Sequence, residues 1–474
     1  MGNSIALSDQ SINNIPSDIT KKLGLYRKKE NLSYLSAKQR AISAILGGFV
    51  ADAATMPLHY IYDQSLLENL YKSLKKPIIK QRNDSSDLTS TEEDIIEEDS
   101  TVTLNQTNCL GLEFYKTNQN PFYQYDIGLF SPYADEVLPL LKVLSEKGYF
   151  DIQAIADGMY IFYSSYQGPL NEPSKIFMST YKKGLPVTAY NNENDLIFMA
   201  LMKVPIIVAR YAGSLQMLDH LDEAISLHQT NDKVKNAAFL VAKLLEKVIL
   251  GSTIKDALLW ACKSDNITIQ ERDYLFYLFP NVESYNSVSI SLPIKKNLSL
   301  SSLGSDSSKS SPRLNIEKSL PMKEFSEDNS DGSRSRVNRQ RNSGQSKVLY
   351  VKYSGNSNNT VFAPQIPYSI AVEQLGMSGE LPGAILTGLY GLICFTNYEK
   401  AIRANILAGG DNIPRAWLLG VLLAAEGGLD AIPNEWKEKT KLYSTVLHMS
   451  ERLVGSNTYF DALREKSWCS FAGI

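Results

Sequence analysis

Apolar residues recur at helical spacing along most of the chain. Behind Ser36-Ala-Lys-Gln39, which has capping-box spacing, Ile42, Ile45, Leu46 and Phe49 fall at i, i+3, i+4 and i+7, one face of an amphipathic helix. Residues 137–144, 196–211, 221–227 and 234–250 read the same way, the last closed by Gly251. Thr396-Asn-Tyr-Glu399 repeats the capping box, Gly409-Gly410 end the helix it starts, and Asp411 stands where it would cap another over 415–426. Pro414 is tolerable there, because a first turn has no intrahelical N–H bond to lose. The apolar run 381–395 is shorter than the roughly 20 residues of a spanning helix and contains Pro382, Gly383, Gly388 and Gly391. It reads as a buried core helix. No strand–helix–strand rhythm appears, so the predicted class is all-α, a compact helical bundle.

Two stretches break the pattern. At about 73–108 the sequence is polar and locally acidic, and at about 284–347 it is dominated by Ser, Asn and charge, ending in a basic tract at 334–341. Both read as disordered insertions; the second is also a candidate docking or phosphorylation segment. The expected organisation is an N-terminal extension over 1–35, one all-α domain over 36–455 carrying the two insertions, and a tail over 456–474.

Forty-eight Lys and Arg against 51 Asp and Glu, a formal net charge of -3, leave no global electrostatic footprint for nucleic acid. Cys109, Cys262, Cys394 and Cys469 are far apart and form neither a disulfide framework nor zinc spacing, which favours a reducing compartment. The N-terminus lacks the charged and apolar regions of a secretory signal, and with no transmembrane segment expected either, the location expected is cytoplasmic. Gly2 fits the myristoylation pattern in part, with Ala6 where Ser or Thr is preferred; a single acyl chain there would be a weak tether.

Three stretches combine small residues, an acid and a helix end: Gly47-Gly-Phe-Val-Ala-Asp52-Ala-Ala-Thr-Met-Pro57-Leu-His59, Ser131-Pro-Tyr-Ala-Asp135-Glu136, and Ala408-Gly-Gly-Asp411-Asn-Ile-Pro-Arg415. An acid at such an end can cap a helix, ligate a metal or act as a base. From the residues alone, capping is the commonest role for Asp52, Asp135 and Asp411. Phe122, Tyr123, Tyr125, Phe130 and Tyr133 can stack on a ligand's adenine or pack the core. His220, His228 and His448 have no partner at metal spacing and read as surface or helix-end residues.

At these stretches the chain resembles the ADP-ribosylglycohydrolase superfamily, and more closely its J1-crystallin branch. The first is similar to the family's opening GD-A-x-G-x-P-x-E motif, and Phe130-Ser-Pro-Tyr-Ala-Asp135-Glu136 lies where hydrolases carry Thr-Asp-Asp. Lys203-Val-Pro205, His228-Gln229 and Asn231-Asp232 resemble the middle of the J1 type. Leu381-Pro-Gly383, Gly409-Gly-Asp411-Asn412 and Gly427-Gly-Leu-Asp-Ala-Ile-Pro433-Asn-Glu-Trp436 follow in the family's order. The resemblance implies a compact, orthogonal all-α bundle with an ADP-ribose cleft and a two-magnesium centre at its base.

Carried over position by position, the resemblance implies metal ligation by Asp135 and Asp411 and ligand binding by Asp52, Tyr133, Gly409, Gly410 and Asn412. Other ligand positions have changed: Tyr133 and Ala134 precede Asp135, Ile413 stands at the second acid of the family's Asp-x-Asp-Thr, Pro414 at its hydroxyl, and His59 at the opening glutamate. Two of six expected ligands remain. Mg²⁺ wants near-octahedral oxygen coordination, which aliphatic side chains cannot supply, so the expected cofactor is weakly held or absent. His59 and Glu136 are the remaining candidates for acid–base chemistry. The expected function is that of a J1-crystallin-like, catalytically impaired protein that binds ADP-ribose or a related nucleotide or serves a structural role. The alternatives are an ADP-ribosyl hydrolase with a reduced metal site, and an interaction protein acting through its Ser-rich insertion or N-terminus.

Overall fold

The Ser36 hydroxyl accepts from the Gln39 N–H at 3.2 Å, and the Gln39 side chain accepts from the Ser36 N–H at 2.9 Å. This capping box starts α1 (Ala37–Thr55) where the spacing predicts it. From Ser43 to Thr55 every residue is buried. A helix apolar on all sides belongs inside a core, and α1 is the centre of this one. With the 3-10 turn Met56–Leu58 it is long and apolar enough to cross a membrane, yet 94% of its apolar window is buried in the protein.

The structure, a computed structural model, describes residues 35–75, 111–186, 195–279, 351–354 and 361–460. After α1 come α2 (Gln64–Lys75), α3 (Pro132–Asp135), α4 (Leu138–Lys147), α5 (Ile152–Ser165), α6 (Glu172–Lys182), α7 (Ala200–Tyr211) and α8 (Met217–Ser226). Next are α9 (Asp232–Ile249), α10 (Ile254–Lys263), α11 (Ile269–Leu278), β1 (Val351–Ser354) and β2 (Val361–Pro364). The chain continues through α12 (Tyr368–Leu375), α13 (Gly383–Cys394), α14 (Tyr398–Ala408), α15 (Ile413–Gly427), α16 (Asn434–Lys439) and α17 (Tyr443–Gly455).

Helix α15 lies antiparallel against α1, and glycines set the distance. A Cβ on Gly47 would stand 2.3 Å from the Gly420 carbonyl oxygen, and one on Gly420 would stand 2.4 Å from that of Gly47. Near the other end of the contact, the Arg40 guanidinium donates to the Ala425 carbonyl at 3.4 Å. Phe49 fills the space beside this seam, its ring 4.9 Å from Phe130 and 5.0 Å from Trp417. Burying one such side chain contributes about 1.5–3 kcal/mol. Around the pair, α7 packs on α1, α9 on α7 and α15, α13 on α15, and α17 on α1 and α4.

The all-α class and the core helix at 381–395 stand, with four differences in detail. Residues Val351–Ser354 and Val361–Pro364 pair as a short antiparallel ribbon, Val351 opposite Pro364. The helix expected from 196 begins at Ala200, because residues 195–199 leave the helical path to bridge Ile197 to Glu380. Asn397, not Thr396, caps α14, accepting from the Lys400 N–H at 2.9 Å. Helix α2 runs to Lys75, past the expected start of the first insertion. The rest of both insertions, Gly2, Cys109 and Cys469 lie outside the described residues. Cys262 and Cys394 are free thiols.

Candidate functional site

Antiparallel packing sets the C-terminal end of α1 beside the N-terminal end of α15, so residues 52–61 and 409–415 meet. An isolated bridge joins Ile61 to Gly410, with the Gly410 N–H donating to the Ile61 carbonyl at 2.6 Å and the Tyr60 N–H to the Gly410 carbonyl at 3.0 Å. Gly409 and Gly410 have φ of +71° and +75°. A Cβ on Gly410 would lie 2.4 Å from the Met377 carbonyl oxygen, so these glycines serve a close backbone crossing.

Inside this crossing His59 is wholly buried and holds two partners. Its Nε2 lies 2.7 Å from the Asp411 Oδ1 and its Nδ1 2.6 Å from the Tyr123 hydroxyl. Burial holds the imidazole pKa below its usual range despite the pull of Asp411. The neutral tautomer consistent with this network donates from Nε2 to Asp411 and accepts from Tyr123 at Nδ1. The second Asp411 oxygen accepts from the Tyr133 hydroxyl at 2.9 Å. Tyr60 stacks on the imidazole at 3.6 Å from a left-handed backbone, φ +65°, rare for a bulky residue.

Asp411 therefore does not cap α15. Asn412 takes the N-cap position without a side-chain capping bond; its amide donates to the Leu58 carbonyl at 3.3 Å, and its Oδ1 is buried without a partner. Arg415, fully buried, braces the loop by donating to the Asn405 Oδ1 at 2.9 Å and to the backbone carbonyls of Asp411, Met377 and Gly409.

Asp52 does cap, but for a neighbour. From inside α1 it accepts from the Ser131 N–H at 2.7 Å and hydroxyl at 2.5 Å, at the start of α3. Burial pushes its pKa up to about 7, against the lowering effect of these bonds. Asp135 accepts from the Tyr166 hydroxyl at 2.9 Å, and burial pushes it up to about 7 as well. Glu136 is tied to the start of α6. It accepts from the Asn171 N–H at 2.8 Å, the Asn171 amide at 2.6 Å and the Ser174 hydroxyl, and burial pushes it up to about 7. That bonding gives Glu136 a structural task at the start of α6.

His228 is not a surface residue. It is buried, accepts from the Lys203 ammonium nitrogen at 2.8 Å and meets the Tyr163 hydroxyl at 3.3 Å, while Tyr163 donates to the Glu136 carbonyl at 2.7 Å. Burial pushes Lys203 down to about 7. His220 packs between Phe150 and Tyr211, with centroids at 4.4 and 4.6 Å, and His448 is exposed. Of the aromatic cluster, Phe130 is core, Tyr123 and Tyr133 turn their hydroxyls to His59 and Asp411, Tyr125 bonds Tyr166 at 3.0 Å, and Phe122 is 70% exposed.

Thus the fold joins His59, Tyr133 and Asp411 directly and sets Asp52 and Asp135 in separate hydrogen-bonded pairs. Among the described residues, no three His, Cys, Asp or Glu converge where they could hold an ion. Sequence reasoning assigned no role to Tyr60, Ser131, Tyr166 or Arg415. Arg415 was within a quoted motif, but a buried arginine serving backbone carbonyls has no local signature.

A family model described as ADP-ribosylglycohydrolase matches residues 330–460. Over that stretch the chain is similar to the ADP-ribosylglycohydrolases. Its similarity runs to the J1 crystallins of Tripedalia cystophora: crystallin J1A is 23% identical over 437 residues, covering 88% of this chain and 97% of the relative. Crystallin J1B is 28% identical over 239 residues, covering 46% and 61%. A solved chain titled "ADP-ribosylglycohydrolase-related protein complex" aligns over 89% of this chain and 99% of its own length, at 13% identity and a TM-score of 0.48.

Proposed function

We propose that this protein is a non-hydrolytic, J1-crystallin-like member of the ADP-ribosylglycohydrolase superfamily that binds a nucleotide such as ADP-ribose or serves a structural role, in the cytoplasm. The observation that carries this is the state of Asp411. Both of its oxygens accept hydrogen bonds, from His59 and from Tyr133, and these are two residues standing where the resemblance implies a carboxylate and a hydroxyl ligand. Ile413, at the position of a further acid, is wholly buried among apolar neighbours, and Pro414 sits in the first turn of α15.

The donor set does not fit a magnesium pair. Mg²⁺ needs six oxygen ligands in near-ideal geometry and gives up water reluctantly. Asp135 is turned to Tyr166 and Asp411 to two internal donors, so reaching a metal would break bonds already made.

Thermal denaturation with and without Mg²⁺ and ADP-ribose tests this reading. A ligand at 100 times its dissociation constant adds about 2.7 kcal/mol of stability. Mg²⁺ is expected to leave the melting temperature unchanged. A shift with ADP-ribose alone supports binding, and none with either supports the structural role. A magnesium-dependent shift abolished by Asp135→Ala or Asp411→Ala would instead establish the hydrolase-type centre.

A further inference from the structure

Lys203 and His228 meet inside the protein, outside the 409–415 loop, and are 3% and 1% exposed. The Lys203 nitrogen donates to the Ala224 carbonyl at 2.7 Å and to the His228 Nδ1 at 2.8 Å. Because it accepts there, the imidazole carries its hydrogen on Nε2 and directs it to the Tyr163 hydroxyl at 3.3 Å, which donates in turn to the Glu136 carbonyl. Two acceptors use two N–H bonds, the number a neutral amine has; among the described residues the third N–H of an ammonium meets no acceptor. The pair is therefore complete with Lys203 uncharged, and burial pushes its pKa down to about 7.

Hydrogen bonds lead from this pair to the candidate site. Gln229, next to His228 and also buried, accepts from the Ala200 N–H at 3.0 Å and donates to the Asp195 carboxylate at 2.9 Å and the Ile197 carbonyl at 2.7 Å. Residues 196–198 are held in turn against 379–381: the Leu381 N–H donates to the Leu196 carbonyl at 2.9 Å, and the Phe198 N–H to the Gly379 carbonyl at 3.0 Å. Gly379 lies over Asp411, whose carboxylate occupies the space a Cβ would need. Helix α7 is short of one backbone bond beside Lys203, because Pro205 has no N–H for the Leu201 carbonyl. We propose that Lys203 and His228 form a proton-operated latch on the segment covering the site: proton uptake by Lys203 favours opening of 195–203 together with 379–381. None of these contacts depends on what the site binds.

An ammonium in the closed latch is desolvated and lacks a partner for one N–H, and opening returns it to water. Lys203 takes up a proton at about 7 when buried and near 10.5 in water, so between these values opening binds one proton and is favoured as pH falls. Burial and the Lys203 charge hold His228 well below its usual range, since a proton on Nδ1 would face the Lys203 nitrogen. Glu136, between α3 and α4, is the charged group that acts on Lys203, and its carboxylate is engaged by Asn171 and Ser174. Helix α5 presents Tyr163, α6 the Phe177 ring at 5.1 Å from the imidazole, and α8 the Ala224 carbonyl. From α1, α4, α9, α15 and α17, which also pack on α7, no charged side chain acts on the pair among the described residues.

Hydrogen–deuterium exchange of the full chain between about pH 7.5 and 9.5, corrected for the intrinsic exchange rate, tests the latch; the carboxylates pushed up to about 7 are already ionised there. Opening of 195–203 and of 379–381 is expected to increase about tenfold per unit as pH falls. Residues 269–278 in α11, which packs on α9, α10 and α13, should show no such slope. Lys203→Met cannot take up a proton and Lys203→Arg cannot lose one, so both should remove the slope; a merely structural lysine would change the level of opening and keep it. Far-ultraviolet circular dichroism and the exchange of 269–278 report whether each variant keeps the fold. No slope in the parent, a slope that persists in Lys203→Met, a slope shared by 269–278, or one at 195–203 that is absent from 379–381 overturns the proposal.

Discussion

His59 and Asp411, 352 residues apart in the chain, share a buried hydrogen bond of 2.7 Å. The carboxylate is 7% exposed and has little water to fall back on. Removing the imidazole donor leaves a buried carboxylate with one of its hydrogen bonds unmade, so His59→Ala is expected to destabilise the protein by about 1–3 kcal/mol in urea denaturation. Tyr133→Phe, which removes one donor and no volume, should lose about 1.5–3 kcal/mol. A neutral result for both would mean that Asp411 finds other partners.

Asp52 gives the stability a pH dependence. Its folded pKa, raised to about 7 from 3.8, means the folded state holds a proton that the unfolded chain has released between those values. The contribution is present at low pH and is lost as pH rises through about 7, with a slope of up to about 1.4 kcal/mol per unit. Asp52→Asn keeps an acceptor for the Ser131 N–H and does not titrate. Its melting temperature should gain on the parent between pH 5 and pH 8. A gap constant with pH would show that Asp52 does not titrate in that window.

Gly420 has no room to grow. Alanine there would bring a methyl to 2.4 Å from the Gly47 carbonyl oxygen and 2.7 Å from the Ala51 Cβ, and only a shift of α15 against α1 relieves it. Overpacking of this kind typically costs about 1–3 kcal/mol. Gly455, whose Cβ would meet nothing within 4 Å, is the control, and Gly455→Ala should be neutral or slightly stabilising by calorimetry.

Gly379 is the roof of the site. A Cβ there would stand 2.2 Å from the Asp411 Oδ2 and 3.1 Å from the Tyr133 hydroxyl. Gly379→Ala should displace the carboxylate and alter the His59 imidazole resonances by NMR while leaving those of exposed His448 in place. Unchanged His59 signals would show that the loop yields instead.

What could be read in advance divides along the range of the interactions. Ser36 announces its helix because the bonds that define a capping box span three residues. The run at 381–395 announces burial because its apolarity is local. Asp411 misleads for the opposite reason: it occupies a plausible capping place, but its partners are His59 and Tyr133, far away in sequence, and they outcompete the adjacent helix end. His228 likewise reads as a helix-end residue until Lys203 and Tyr163 are seen around it. Tyr166 was invisible for the same reason, since nothing near it in sequence points to Asp135.

The docking of α1 on α15 also has a kinetic side. Because His59 precedes Asp411 by 352 residues, a polypeptide emerging during synthesis holds half of the constellation with nothing opposite it. Closing so long a loop is slow relative to local helix formation. A fragment limited to 330–460 would present Asp411 with no imidazole to meet it, so the constellation belongs to the finished chain and to no shorter piece of it.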